Sequence, residues 1–408
     1  MMLFSNYFKT KFVKPVFFLF LFALVFFFHC KISNLSEAQS AVKDRFLDKA
    51  ADNDQVRSAT LLVHSDKLNI HWKESHGSVL SNGQAIPTHP DQPFHTASVG
   101  KLFTAVLIMQ MVEKGSINLS SKAIDHLPKG TLNGLYVIDG KDYQDQVLIE
   151  HLLSHTSGVA DYFESTDKEH PEAKAVIHEI TANPDKFWTT DDLLDFTRKF
   201  QKPIGLPGKQ FLYSDTGYVI LGKIIEHTTK QSFETVLKER FFKPLSMNHT
   251  YMHLRSSPIQ KTNLALSPIL LEGRDVTNFR SVSADWAGGG LISTTEDLLK
   301  FHKALIANSL ISKKSLDSMS GTNKFMDGIY YGLGLMTVRF GDMLFLMKGT
   351  PDLMGHSGIL GTHLFYTPEY DTFIIANFGS SQAVGDSFEM LFRIMSILKD
   401  VNSVSTKK

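Results

Sequence analysis

Hydrophobic positions along this chain change their spacing three times. Val16 to Phe28 is apolar without a break. In the body, short apolar segments bounded by turn residues come early and again late. Ser58 to His64 and Leu68 to Trp72 read as two strands joined at Ser65-Asp66-Lys67. Leu333 to Arg339, Met343 to Lys348, Thr362 to Thr367 and Thr372 to Phe378 read as a second set of strands, with a turn at Pro368-Glu369-Tyr370-Asp371. Between the two sets the period lengthens to that of helices. A run from Leu102 to Met109, ending near Gly115, is apolar on nearly every face and predicts a buried helix. Thr189 or Thr190 caps an amphipathic helix carrying Leu193, Leu194 and Phe196. Tyr213-Ser214-Asp215 opens another with Tyr218, Leu221, Ile224 and Ile225 on one face. Ser293 or Thr294 caps a helix from Glu296 to Ala307, and a last amphipathic helix runs from about Ala383 to Leu398. Tyr136 to Val147 reads as a small hairpin around Asp139-Gly140-Lys141, and Ser78 to Pro93 as loop.

Strands at both ends and helices in the middle predict an α/β (α+β) fold. One antiparallel sheet built from both chain ends is flanked by helices, with an inserted mainly helical subdomain. The sheet part spans about 50–115 and 287–400 and the helical part about 116–286, with a tether over 31–49 that includes a short helix within 31–45, and a tail over 401–408. A crevice between the two parts is the expected active site.

Composition changes this picture little. The chain has 408 residues, 43% apolar and 21% charged, with no formal net charge. That balance, without a basic run interleaved with aromatics, argues against nucleic acid as a partner. The N-terminal stretch changes the picture more. Lys9, Lys11 and Lys14 precede the apolar Val16–Phe28 run, which is short for a membrane span and of signal-sequence length. Cys30, the only cysteine, follows it directly and is a lipidation candidate, although Phe28 and His29 are large for such a cleavage site. The expectation is an exported body, periplasmic or at the cell surface, membrane-associated through its N-terminus and without an internal disulfide.

The candidate chemistry begins at Ser98, at the entrance of the buried helix, with Lys101 one turn on. Residues three apart share a helix face, so hydroxyl and amine can meet. A serine hydroxyl is a weak nucleophile until a base takes its proton, and a lysine in an apolar place can be that base. The spacing is not unique: Ser40, Ser165, Ser396 and Ser405 also precede a lysine by three. Tyr213 and Asp215 stand at a second helix entrance, a spacing repeated at Tyr143-Gln144-Asp145. The Tyr213 phenol can exchange a proton with Ser98 if lysine charge lowers its pKa. Gly355-His356-Ser357-Gly358-Ile359 lies just before a strand, where glycine lets a substrate approach the backbone. The seventeen histidines show no metal-site spacing, and no phosphate-binding glycine loop is present, so neither metal nor cofactor is expected.

Ser98-x-x-Lys101, Tyr213-x-Asp215 and His356-x-Gly358 come in an order that resembles the class C β-lactamase-like serine hydrolases of the serine β-lactamase and penicillin-binding-protein superfamily. Leu152-Leu153-Ser154-His155-Thr156-Ser157-Gly158, Tyr213-Ser214-Asp215-Thr216-Gly217-Tyr218 and Ala287-Gly288-Gly289-Gly290-Leu291 are also similar to signatures of that family, over about residues 50–398. The resemblance implies a serine acyl-transfer enzyme. Ser98 would carry the acyl group, and Lys101 and Tyr213 would share the proton work. The N–H groups of Ser98 and Ile359 would hold the oxyanion, and His356 would help bind substrate or tune Tyr213.

Two departures qualify it. Asp215 stands where the family often has Asn; a carboxylate cannot donate to a substrate carbonyl and favours a charged Lys101. Tyr213 is then the expected main base, unless Asp215 only caps its helix. His356 replaces a common Lys and is mostly neutral at pH 7, so a fixed cation for a substrate carboxylate is missing. The expected substrates are esters or D-amino-acid-type amides, as small molecules or peptidoglycan-type chains. The alternatives are a true β-lactamase and a catalytically silent penicillin-binding-like sensor or scaffold. His155 reads as closing a turn.

Overall fold

The computed structural model describes residue 32 and residues 34–164, 174–343 and 345–405. The N-terminal apolar run and Cys30 lie outside the described residues. Among the described residues no helix is long and apolar enough to cross a membrane.

A nine-stranded antiparallel sheet forms the body. Its strands are β1 (Ser58–Ser65), β2 (Ile70–Ser81), β3 (Gln84–Pro87), β4 (Asn323–Met326), β5 (Ile329–Tyr331), β6 (Met336–Val338), β7 (Leu353–Gly358), β8 (Thr362–Thr367) and β9 (Thr372–Asn377). The spatial order is β4-β5-β6-β7-β8-β9-β1-β2-β3, so the two ends of the chain meet at the β9–β1 pair. That pair places Thr60 opposite Asn377 and Leu62 opposite Ile375. Successive side chains on a strand point to opposite faces, and both faces here are covered. Leu61, Val63, Phe365, Ile374 and Ala376 join one core, while Leu62, Leu364 and Ile375 join the other. This explains why β8 and β9 are buried at every position, and β1 at all but one, rather than at alternating ones.

The first core lies under two helices, α1 (Leu35–Ala51) and α6 (Val384–Ser405). The second holds α2 (Gly100–Glu113), α3 (Thr190–Phe200), α4 (Asp215–Thr229) and α5 (Thr295–Ile306). α2 is buried on almost every side, as its composition predicts; Phe103 stacks on Phe301 of α5 with ring centres 3.7 Å apart. Thr189 caps α3 and Thr294 caps α5, each accepting from the N–H three residues on.

Five segments differ from the sequence reading. Residues 31–45 read as a tether followed by a short helix; the helix is longer, Leu35–Ala51, and its Ala38, Val42, Phe46 and Ala50 are fully buried. The spacing of these residues is helical, but short polar neighbours hide how far it runs. Ser78–Pro93 is not all loop: β2 continues to Ser81 and returns in β3 through Asn82 (φ 49°) and Gly83 (φ 79°), the Asn-Gly signal of a two-residue hairpin. Met343–Lys348 is not a strand; Phe340–Met343 and Phe345–Met347 are helical turns. The β4–β5 hairpin and β7 were not foreseen as strands. β7 reads Leu-Met-Gly-His-Ser-Gly, where glycines and polar residues mask the pattern.

The helix 35–51 gives a direct test. Phe46 packs edge-on to Phe378 at 5.9 Å and is fully buried. Phe46→Ala is expected to cost about 3–5 kcal/mol in urea unfolding, as for other buried aromatics; a change under about 0.5 kcal/mol, the level of surface substitutions, would mean the helix only tethers.

Candidate active site

The site forms where the helical layer meets the β7 end of the sheet. Strand residues Phe94–His95 pair with Leu291–Ser293, and the Thr96 N–H donates to the Leu291 carbonyl at 2.8 Å. A single turn of tight helix, Ala97–Val99, follows with Ala97 at φ 47°, and α2 begins at Gly100. Ser98 therefore lies on that turn, half-exposed, while Lys101 on the first turn of α2 is completely buried.

Two glycines make this junction possible. A Cβ on Gly289 would lie 2.3 Å from the Ala97 carbonyl oxygen. A Cβ on Gly358 would lie 2.9 Å from the Thr96 oxygen and 3.1 Å from the Ser98 nitrogen. The Gly-rich turn after Trp286 and the end of β7 thus press on either side of the Ser98 turn. Thr96 Oγ1 donates to the Gly289 carbonyl (3.0 Å) and Thr104 Oγ1 to the Ala287 carbonyl (2.7 Å), fixing that turn against α2.

Lys101 Nζ donates to Ser98 Oγ at 3.0 Å, to the Gly288 carbonyl at 2.8 Å and to Asp215 Oδ1. An ammonium has three N–H donors, and all are used. Tyr213 lines the cleft beside Ser98, and its ring centre is 4.8 Å from Lys101 Nζ. Ser98, Lys101, Tyr213 and Asp215 are thus brought together. Asp215 is the first residue of α4 and makes no side-chain capping bond; its carboxylate goes to Lys101 instead.

The lysine charge does not lower the Tyr213 pKa. Burial, then the Asp215 charge, push it well above the ordinary phenol value, although Ser98 beside it opposes the shift. Tyr213 therefore rests as a neutral phenol. Gly358 packs against the Ser98 turn, and Ile359 lines the cleft with an N–H that has no backbone acceptor among the described residues.

His356 is placed differently. Its side chain is fully enclosed, with Nε2 2.9 Å from the Tyr331 hydroxyl and Nδ1 2.7 Å from the Ser357 carbonyl. Burial, with the Lys101 charge, pushes its pKa down to about 3, so the ring is neutral. It lies behind the cleft rather than in it, because β7 turns its side chain toward the aromatic layer under Tyr213. His155 belongs to the same layer and does more than close a turn. It adopts φ 57°, its Nδ1 accepts from the Ser214 N–H at 3.1 Å, and its ring lies 4.1 Å from that of Tyr213. Tyr331 and Tyr218 complete the layer, their hydroxyls 3.2 Å apart.

The cleft has about 570 Å³ of empty volume open to solvent. Its walls include three carboxyl residues that the motif reading missed: Asp161, Glu164 and Asp285. Asp161 accepts from the N–H groups of Asp215 (2.9 Å), Phe163 (3.2 Å) and Glu164 (3.2 Å), so it shapes the wall and the start of α4. Burial is the largest cause raising both Asp161, to about 7, and Asp285, to about 8; nearby Asp215 adds to each, while Lys101 opposes the shift at Asp285. The available signal was an aspartate in an apolar setting, Gly-Val-Ala-Asp161-Tyr and Ser-Ala-Asp285-Trp. Phe163, Phe325, Met336 and Ile359 supply the apolar walls. Among the described residues no group of three or more His, Cys, Asp or Glu side chains is arranged to hold a metal ion.

A serine, a lysine and a tyrosine converge in a cleft between an antiparallel sheet and a helical layer. The chain belongs to the Beta-lactamase family, whose model matches residues 44–398. It is 29% identical over 294 residues to Penicillin-binding protein 4* of Bacillus subtilis (strain 168), covering 67% of this chain and 56% of that protein. The chain thus spans about half the length of the curated relatives it matches. Among solved structures, the D-amino acid amidase of Ochrobactrum anthropi SV3 complexed with D-phenylalanine superposes with a TM-score of 0.70 at 23% identity, over 89% of this chain and 99% of that one. The D-stereospecific amidohydrolase of Streptomyces sp. gives 0.68 at 24% identity, over 86% and 97%. These two likenesses establish the fold.

The raised carboxyls make stability depend on pH. An unfolded Asp titrates near 4, so between about pH 4 and pH 8 the folded chain holds more protons than the unfolded one. Their destabilising effect is smallest below pH ~4 and grows as pH rises through 7 and 8. Asp285→Asn is therefore expected to raise Tm by roughly 2–5 °C at pH 8 and by less at pH 5. Equal shifts at both pH values in calorimetry would show that Asp285 is not the strained group.

Proposed function

We propose that the protein is a serine hydrolase working through a covalent acyl-enzyme at Ser98, on an ester or a D-amino-acid-type amide. The observation that carries this reading is the 3.0 Å contact from the buried Lys101 Nζ to the half-exposed Ser98 Oγ on the cleft floor. Names of relatives support the substrate class: amidases of D-amino acids share the fold.

The proton route differs from one centred on Tyr213. Ser98 Oγ attacks the carbonyl as its proton passes to Lys101 Nζ, and Lys101 passes one of its own to Asp215. The oxyanion is held by the N–H groups of Ser98 and Ile359. As the tetrahedral intermediate collapses, the neutral Tyr213 phenol protonates the leaving group. A phenol with a raised pKa gives a strong base once deprotonated, so its phenolate then takes a proton from the incoming water. That water attacks the acyl carbonyl; Ser98 departs and recovers its proton from Lys101, and Lys101 from Asp215. His155 and the Tyr331–His356 pair hold the Tyr213 ring.

The segment before the described body supports a location outside the cytoplasm. Lys9, Lys11 and Lys14, the Val16–Phe28 run and Cys30 fit export, with attachment to a membrane at that end.

Two measurements test the reading. Intact mass after a fluorophosphonate is expected to show one adduct, absent in Ser98→Ala, and labelled penicillin would add a second adduct only for a peptidoglycan-type or β-lactam site. No adduct with either reagent would leave a catalytically silent protein. In stopped flow, Asp215→Asn is expected to slow acylation by about a hundredfold or more, the range of general-base catalysis. A rate within about threefold of the parent, far below that range, would remove Asp215 from the proton route.

A further inference from the structure

We infer that the cleft takes acyl donors bearing a cationic amine and an apolar side chain, that Asp285 is the counter-charge for the amine, and that donors bearing a carboxylate there are rejected. This rests on the hydrolase reading above and deepens it by naming the substrate class.

The charge inventory comes first. Among the described residues, every ionisable side chain on the cleft wall, the Tyr213 phenol aside, is a carboxyl: Asp161, Glu164, Asp215 and Asp285. Lys101, the cation at the floor among those residues, already uses its three N–H donors on Ser98, Asp215 and Gly288. His356, where a cation might have stood, is neutral and enclosed. A substrate carboxylate would share the cleft with these carboxyls, be repelled by each that is ionised, and meet no free cation among the described residues.

The carboxyls are not equivalent. Asp161 is committed to three backbone N–H groups and Asp215 to Lys101. Asp285 lines the cleft and has only charge interactions, with Lys101, Asp215 and Asp161, and no hydrogen bond among the described residues. Half-buried on the cleft wall, it is a carboxyl that an arriving donor can reach. Its position suits an amine near the scissile bond. Asp285 Oδ2 lies 2.9 Å from the point where a Cβ on Gly289 would sit, and that point is 2.3 Å from the carbonyl of Ala97, next to the nucleophile. An ammonium paired there would lie beside an acyl carbonyl held at Ser98, and the aromatic and aliphatic walls would receive the remaining side chain. The upward pKa of Asp285 agrees: an arriving cation, facing the same Lys101, Asp215 and Asp161, would favour its charged form.

The test uses three p-nitroanilides of phenylalanine, each as both enantiomers: the free amine, the N-acetyl and the N-succinyl derivative, which are cationic, neutral and anionic at the amine. At pH 7 and low salt, kcat/KM of the intact protein is expected to favour the free amine over the N-succinyl compound by about tenfold or more, the scale of one close charge pair. Asp285→Asn is expected to bring that ratio to within about threefold while leaving the N-acetyl rate within about threefold, since only the charge term is removed. The parent ratio should also shrink between ~0.05 and ~0.5 M salt, a test that needs no variant. A flat or inverted ratio in the parent, or an equal loss on all three compounds in Asp285→Asn, overturns the inference. If the N-acetyl compound is still turned over in a Ser98-dependent manner, the hydrolase reading survives that result. No Ser98-dependent turnover of any of the three overturns both.

Discussion

The structure depends on one buried ammonium. Lys101 has no exposure to water, and a charge so placed is tolerated only when each of its donors finds an acceptor. Its three acceptors come from three separate parts of the chain: Ser98 from the turn before α2, Asp215 from the start of α4, and the Gly288 carbonyl from the turn after Trp286. Leaving a buried ion unpaired costs about 3–5 kcal/mol, so the three segments are locked to one another by electrostatics as well as packing. Glycine lets them come that close. Gly100, for instance, is so near that a Cβ on it would lie 2.7 Å from Gly289 Cα. Nucleophile, base and fold are therefore one arrangement rather than a site laid over a scaffold.

The sheet serves that arrangement from the other side. Its middle strands are buried on both faces, so their register is strongly specified, and β7 must end where β8 and β9 dictate. The end of β7 carries Gly358 against the Ser98 nitrogen and sets Ile359 on the cleft wall. The β4–β5 hairpin brings Phe325 to that wall and Tyr331 to the layer beneath Tyr213. In this way pairing between the two ends of the chain fixes distances inside a site whose helices come from its middle.

Much of this was legible in the sequence, and the rest was hidden for identifiable reasons. The buried helix, the caps at Thr189 and Thr294 and the strands β1, β8 and β9 were read from periodicity, which reports burial directly. Ser98, Lys101, Tyr213 and Asp215 were recognised because local spacing was combined with order along the chain. The strand β7 was missed because glycines and polar residues break its pattern, and those residues are the ones the site requires. Which of its two expected roles His356 has, substrate binding or tuning of Tyr213, was left open for a related reason. A motif specifies which residue follows which, but on a strand the side of the sheet decides whether a side chain meets the cleft or the layer behind it. Asp161 and Asp285 belong to no spacing rule. Their importance comes from being close in space to Lys101 although far from it in sequence, and only the fold supplies that.

The carboxyl cluster also indicates what the fold sustains. A chain under selection for stability alone would not gather Asp161, Asp215 and Asp285 around one lysine, because burial raises the free energy of each charge and the charges repel. The dense packing around them, with Asp161 bound by three backbone N–H groups, keeps them from relaxing into water. Strain of this kind is placed at functional sites and compensated elsewhere. The compensation here is visible: two apolar cores, one on each face of the sheet, hold a polar junction that could not form alone. With Lys101 fully engaged, the carboxyl left unpaired at the junction is Asp285, the one of these three aspartates with no hydrogen bond among the described residues. The feature that makes the site costly to fold is thus the feature that can tell one substrate charge from another.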